Sequence, residues 1–145
     1  MQSDLTIHWY SLLLLSLPTI IRLWYDYHTI VHDKHEVRHV HNTVYTAIGM
    51  IVCSFVVWRI EPVQYLFQPF LLSTAIFVLF FDYLLNLLRG KGMFYIDLGT
   101  DGKQSFADSV YERLGYFGTA FFKLWWVGVC MGCYFFWSYV VSYKP

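Results

Sequence analysis

Four long apolar runs, separated by shorter polar stretches, dominate the pattern of this chain. Each run approaches the roughly 20 residues that an α-helix needs to cross a hydrocarbon layer of about 30 Å. The intervening stretches contain the glycines, prolines and charged residues that commonly end helices. The pattern therefore predicts an all-α integral membrane protein, a single domain with four transmembrane helices at about residues 5–25, 34–58, 65–88 and 106–143.

Local signals refine three of these helices. Pro18 is expected to kink the first helix, because its ring removes one backbone donor and crowds the preceding turn. The start of the second helix is open: Asp33 followed by Glu36 resembles a capping box, whereas Asn42 offers a later cap. The fourth helix is expected to be amphipathic for two turns and apolar from Tyr116 onward.

The basic residues are distributed unevenly between the two sides of the predicted membrane. The linkers 26–41 and 89–115 share one side, and they carry most of the lysines and arginines outside the helices. By the positive-inside rule, both linkers form a small cytoplasmic cap on the inner (cytoplasmic) membrane, with the N- and C-termini outside. The linker cations are Lys34, Arg38, Arg89, Lys91, Lys103 and Arg113, against Arg59 and Lys144 on the opposite side.

The composition supports a membrane protein and excludes other classes. The chain is 57% hydrophobic and 21% aromatic, which exceeds what the core of a soluble domain of 145 residues requires. Lysines and arginines number ten, as do aspartates and glutamates, so there is no basic excess and we expect no nucleic-acid partner. Cys53, Cys130 and Cys133 all fall in apolar runs, which does not indicate a secreted disulfide scaffold.

Five of the six histidines lie between residues 26 and 41. His28, His32, His35 and His39 are spaced four, three and four residues apart, so on one continuous helix they would form a single stripe. If the chain instead turns at Asp33, the same spacing yields two facing i,i+4 pairs. Facing pairs of this kind can hold a divalent metal, zinc or iron. Two alternatives stay open: interfacial histidines without a ligand, and contacts with anionic lipid.

Asp82 is the only carboxylate well inside a predicted span. Burying an ionisable group at that depth costs free energy, so a functional role for Asp82 is the default hypothesis. One interpretation is an ion pair with Arg22 that joins the first and third helices. The other makes Asp82 a fifth metal ligand or a proton acceptor.

A set of motifs in the second half of the chain resembles a known group of proteins. The motifs are Phe81-Asp-Tyr-Leu-Leu-Asn86, Arg89-Gly90, Phe94-Tyr95 and the segment from Asp101-Gly102 to Asp108, together with the linker rich in His and Lys after the first helix. They are similar to small multi-helix membrane proteins of Bacteroidetes bacteria and their phages, and the likeness covers roughly half of the chain. The resemblance implies a multi-helix membrane fold and adds no catalytic residue.

These features lead to a functional prediction with two alternatives. We expect a binding or scaffold protein whose partner is the lipid bilayer, with a divalent-metal site built from the histidines at the cytoplasmic membrane interface. Gly128 and Gly132 form a small-xxx-small pair, so a homo-oligomer through the fourth helix is expected. The alternatives are an oligomeric pore-forming or holin-like protein, and a metal-dependent membrane enzyme.

Overall fold

The structure, a computed structural model, describes residues 8–33, 39–61, 63, 65–92 and 106–142. Its four α-helices are α1 (Trp9–His28), α2 (His39–Ile60), α3 (Phe67–Leu88) and α4 (Phe106–Ser142), and a π-helical turn, Thr29–Asp33, continues α1. All regular elements of the described part are helical, which confirms the all-α class. The earlier of the two predicted starts of the second helix, and residues 93–105 of the predicted cap, lie outside the described residues.

Helices α1 and α2 pack antiparallel along their whole length. At one end, Asn42 Nδ2 donates a hydrogen bond of 3.0 Å to Asp26 Oδ1. Further along, Pro18 lies against Gly49, where an added Cβ would be 3.4 Å from the proline Cβ. Glycine therefore lets α2 approach α1 closely at the proline.

Helix α3 runs parallel to α1, and α4 packs antiparallel along α3. The hydroxyl of Ser73 donates a hydrogen bond of 2.8 Å to the carbonyl oxygen of Leu15. This carbonyl is adjacent to the one that Pro18 leaves without its usual donor, and such bonds help helices to tolerate proline. Lys123 on α4 meets Asp82 on α3, and Met131 further along α4 packs at the cluster that contains Leu72, so the order of the bundle is up-down-up-down.

The apolar core is small, and most large apolar side chains lie on the outside. Leu15, Val57 and Leu72 form its centre, with Leu14, Ile76 and Met131 packed around it. Within the described ranges, three helices are long and apolar enough to cross a membrane, with spans at His41–Ile60, Phe67–Leu88 and Glu112–Phe136. Helix α1, which contains two charged residues, is not one of these three.

Helix α4 consists of two helical segments joined at Gly115. This glycine has φ 65° and ψ 179°, a backbone conformation that side-chain-bearing residues rarely adopt. The interruption falls next to Tyr116, where the sequence predicts the change from an amphipathic to an apolar pattern. The chain therefore changes direction between the two parts of α4.

Candidate functional site

Charged and amide side chains form a layer inside the bundle near the end where α1 and α3 finish and α2 begins. We call this set the charged layer; it comprises Arg22, Asp26, Asn42, Asp82 and Lys123. It draws residues from all four helices. Buried charges are costly unless they are paired and hydrogen-bonded, so the partners within the layer determine what it can do.

The first part of the charged layer joins α1 to α2 and α3. Arg22 Nε donates a hydrogen bond of 2.6 Å to Asp26 Oδ2, one helical turn away, and Asn42 bonds the other oxygen of the same carboxylate. All three side chains are buried. The guanidinium carbon of Arg22 lies 5.7 Å from the ring centroid of Phe81, within range of a cation–π contact. Among the described residues, Nη1 of Arg22 is buried and has no hydrogen-bond partner.

The second part joins α3 to α4. Lys123 Nζ lies 2.5 Å from Asp82 Oδ2 and 4.8 Å from the ring centroid of Tyr83. The lysine side chain is only 3% exposed, whereas that of Asp82 is 39% exposed. The positive charge is therefore enclosed between the helices, while its carboxylate partner reaches the surface of the bundle.

The predicted ion pair between Arg22 and Asp82 is wrong. The guanidinium of Arg22 does lie at the depth of Asp82, over the neighbouring ring of Phe81, but each residue has a different partner. Arg22 reaches a carboxylate one turn away on its own helix, which requires no particular placement of α3. Lys123 is not among the predicted site residues, although a lysine within an apolar run is itself a signal of a buried partner.

A second polar cluster occupies the opposite end of the bundle. The buried carboxylate of Glu61 accepts hydrogen bonds from the backbone N–H of His8 at 3.2 Å, from the hydroxyl of Ser11, and has His8 Nδ1 at 2.9 Å. Burial by itself would raise the pKa of Glu61, but the hydrogen bonds from Ser11 and His8 outweigh it and hold the pKa below its ordinary value. The negative charge also suits the N-terminus of α1, so Glu61 acts as its cap.

The structure locates the predicted metal-ligating histidines unequally. His28 is the last residue of α1; it is exposed, and its ring centroid lies 5.6 Å from that of Trp24. His32 belongs to the π-helical turn and His39 is the first residue of α2. The side chains of His32 and His39, and all of His35, lie outside the described residues.

One of the two arrangements predicted for the histidine stretch is excluded. Asp26 and Asn42 are 16 residues apart but hydrogen-bonded. On one straight α-helix, that separation would place them about 24 Å apart. Helices α1 and α2 instead pack antiparallel, so His28 and His39 do not lie on one continuous helix and the single stripe is wrong.

No group of three or more potential metal ligands comes together within the part of the chain that the structure describes. Asp82, the fifth predicted ligand, is bound by Lys123. The metal site stays a prediction.

Comparison with models of known protein families gives no match, and comparisons with curated proteins and with solved structures give none. The resemblance to Bacteroidetes membrane proteins accordingly stays a prediction. The fold itself defines a class: an all-helical bundle in which three helices are long and apolar enough to cross a membrane.

Proposed function

We propose that the protein is an integral protein of the inner membrane in which all four helices cross the bilayer. Helix α1 runs beside α2 from the contact of His8 with Glu61 to the contact of Asp26 with Asn42. Helix α1 therefore extends over the same length of the bundle as α2, which is apolar enough to cross a membrane. Its charged groups point into the bundle, and its large apolar side chains point outward, among them Trp9, Leu13, Ile20, Ile21 and Trp24.

The proposed orientation has both termini outside and the charged layer near the cytoplasmic face. The basic linkers 26–41 and 89–115 adjoin the end of the bundle that contains this layer, which supports the assignment. The opposite end, capped by Glu61, then faces outward.

Within this membrane protein we assign a binding or scaffold role with a divalent-metal site at the linker between α1 and α2. The supporting observation is the antiparallel register of these helices. Because Asp26 lies beside Asn42, position 28 on α1 is level with position 40 on α2, next to His39. The two i,i+4 histidine pairs thus belong to the same end of the bundle, as a shared ion requires. Asp82 would have to leave Lys123 to reach an ion, so the proposal depends on the imidazoles.

Metal analysis of the detergent-purified protein tests this site. We expect about one zinc or iron ion per chain in the unmodified protein, because facing i,i+4 histidine pairs supply four ligands. The double variant His32→Ala, His35→Ala removes one ligand from each pair and is expected to lose the ion. His41→Ala, in the same stretch but outside the spaced set, is the matched control and should keep it. Equal metal content in all three proteins would remove the site from the proposal.

We also propose that the protein forms a homo-oligomer through α4. Gly128 and Gly132 lie on the face of α4 opposite its buried residues, and an added Cβ at either would meet nothing within 4 Å. Neither glycine is therefore needed for close packing against another described part of the same chain. Their spacing would let a second α4 approach closely in a membrane.

A single cysteine on the glycine face reports on this oligomer. Phe135 is exposed and lies one turn beyond Gly132 on the same face. In a background without the native cysteines, we expect oxidative cross-linking in membranes to join two chains through Phe135→Cys, and the double variant Gly128→Leu, Gly132→Leu to reduce the cross-linked fraction several-fold. Val129→Leu, which adds a leucine at the side of this face, should retain it. Cross-linking that is absent, or unaffected by the glycine replacements, would contradict association through this face.

A further inference from the structure

We propose that the first segment of α4, residues 106–114, lies flat in the headgroup region of the membrane as an interfacial helix, joined to the transmembrane part of α4 by a fixed corner. This inference depends on the proposed insertion into a bilayer. Its partner is the lipid surface beside the bundle. Four observations support it: the geometry of the corner, the distribution of polar residues, the height of the corner and the exposure of the residues next to it.

Two glycines form the corner. Gly115 has a positive φ and an extended ψ, so the helical hydrogen-bonding pattern breaks there. Three residues later, a Cβ added at Gly118 would lie 3.1 Å from the Cβ of Leu114. The end of the short segment therefore packs closely on the first turn of the long one, and this contact restricts the angle between them.

The short segment has a polar and an apolar side. At 100° per residue, Phe106, Ala107, Val110 and Leu114 fall within an arc of about 100°. Three polar positions fall on the other side of the helix, Asp108, Ser109 and Glu112, and Arg113 lies at the edge of the apolar arc. Interfacial helices show this division, with the apolar side at the boundary between headgroups and acyl chains.

The corner lies at the edge of the bundle. Helices α3 and α4 are antiparallel and meet at Asp82 and Lys123. Toward the same end of the bundle, Gly90 lies eight residues after Asp82, just beyond the end of α3, and Gly115 lies eight residues before Lys123. Helix α3 therefore ends, and the long part of α4 begins, at the same depth in the bundle. The segment before Gly115 thus lies at the edge of the proposed hydrocarbon layer.

The apolar side of the short segment is not covered where it is described. Leu114 is 44% exposed, and Phe117, immediately beyond the corner, is 84% exposed. These residues continue into the outward face of α4, which in the proposed membrane contacts acyl chains. The segment contains two acidic residues and one basic residue, so apolar contact rather than attraction to anionic lipid would hold it.

Nitroxide scanning in lipid vesicles tests the inference on the full-length chain. In a background without Cys53, Cys130 and Cys133, single labels are placed on the apolar side (Val110→Cys, Leu114→Cys) and on the polar side (Asp108→Cys, Glu112→Cys). We expect labels on the apolar side to collide several-fold more with oxygen, which dissolves in lipid, than with a water-soluble nickel chelate. Labels on the polar side should show the reverse preference.

A label at Leu124→Cys, on the outward face of the proposed span, is the control. If it prefers oxygen while all four segment labels prefer nickel, the segment stands clear of the membrane and the inference is wrong. If labels at positions 110 and 114 meet neither reagent, the apolar side packs against protein and the inference is equally wrong. A nickel-accessible label at position 124 would overturn the proposed membrane insertion together with this inference.

Discussion

Replacing Asp26 with alanine is expected to lower the free energy of unfolding by about 3–5 kcal/mol, since it leaves a buried charge without its partner. Arg22 is enclosed by α1, α2 and α3, and its Nη1 already lacks a hydrogen-bond partner among the described residues. The replacement also leaves the amide of Asn42 without the carboxylate oxygen that it bonds. Ile20→Ala, on the exposed side of the same helix, is the control and should cost far less.

The double variant Arg22→Met, Asp26→Leu separates the cost of an unpaired charge from the value of the pair. Replacing both ions with apolar side chains removes the desolvation cost of each, so we expect it to be considerably more stable than Asp26→Ala. Denaturant titration in micelles, followed by circular dichroism, measures all variants. If Asp26→Ala unfolded at the same denaturant concentration as the Ile20→Ala control, the stability of the bundle would not depend on the carboxylate that pairs Arg22 and bonds Asn42.

The pair between Asp82 and Lys123 is expected to respond asymmetrically to replacement of its two members. Asp82→Ala removes the carboxylate partner of a lysine charge that is enclosed between α3 and α4, leaves the ring of Tyr83 as partial compensation, and should cost about 3–5 kcal/mol. Lys123→Met fills the same space with an apolar side chain of similar length. It leaves a carboxylate that is already partly exposed to the surroundings of the bundle, so we expect a clearly smaller loss.

The same titration compares the two single variants, and Phe80→Leu on the exposed side of α3 serves as the control for a change at the surface. Equal losses for Asp82→Ala and Lys123→Met would mean that the lysine is not enclosed as its contacts indicate.

The helices were largely predictable from the sequence, because the length of an apolar run is a local property. Helices α2, α3 and α4 follow the predicted runs, and the change of pattern at Tyr116 coincides with the break at Gly115. The cap at the start of α1 was not predictable in this way. Glu61, which forms it, is about fifty residues away in the chain, and only the antiparallel packing of α1 and α2 brings it there.

The charged layer was predictable only in part. Asp82 stood out because it is a carboxylate inside an apolar run, and Lys123 carried the same signal. Their pairing depends on how far α4 is shifted along α3 and how it is rotated, which no local pattern contains. Arg22 lies near Asp82 in depth but pairs with Asp26, because an i,i+4 partner on the same helix needs no such placement.

The sequence by itself determined that this chain is all-helical, with runs long and apolar enough to cross a membrane, because hydrocarbon thickness and helical rise together set a required length. The tertiary structure decided which charges neutralise one another and that the histidine stretch spans a reversal of the chain. These features depend on the relative depth and rotation of whole helices, and such quantities arise only when the helices pack.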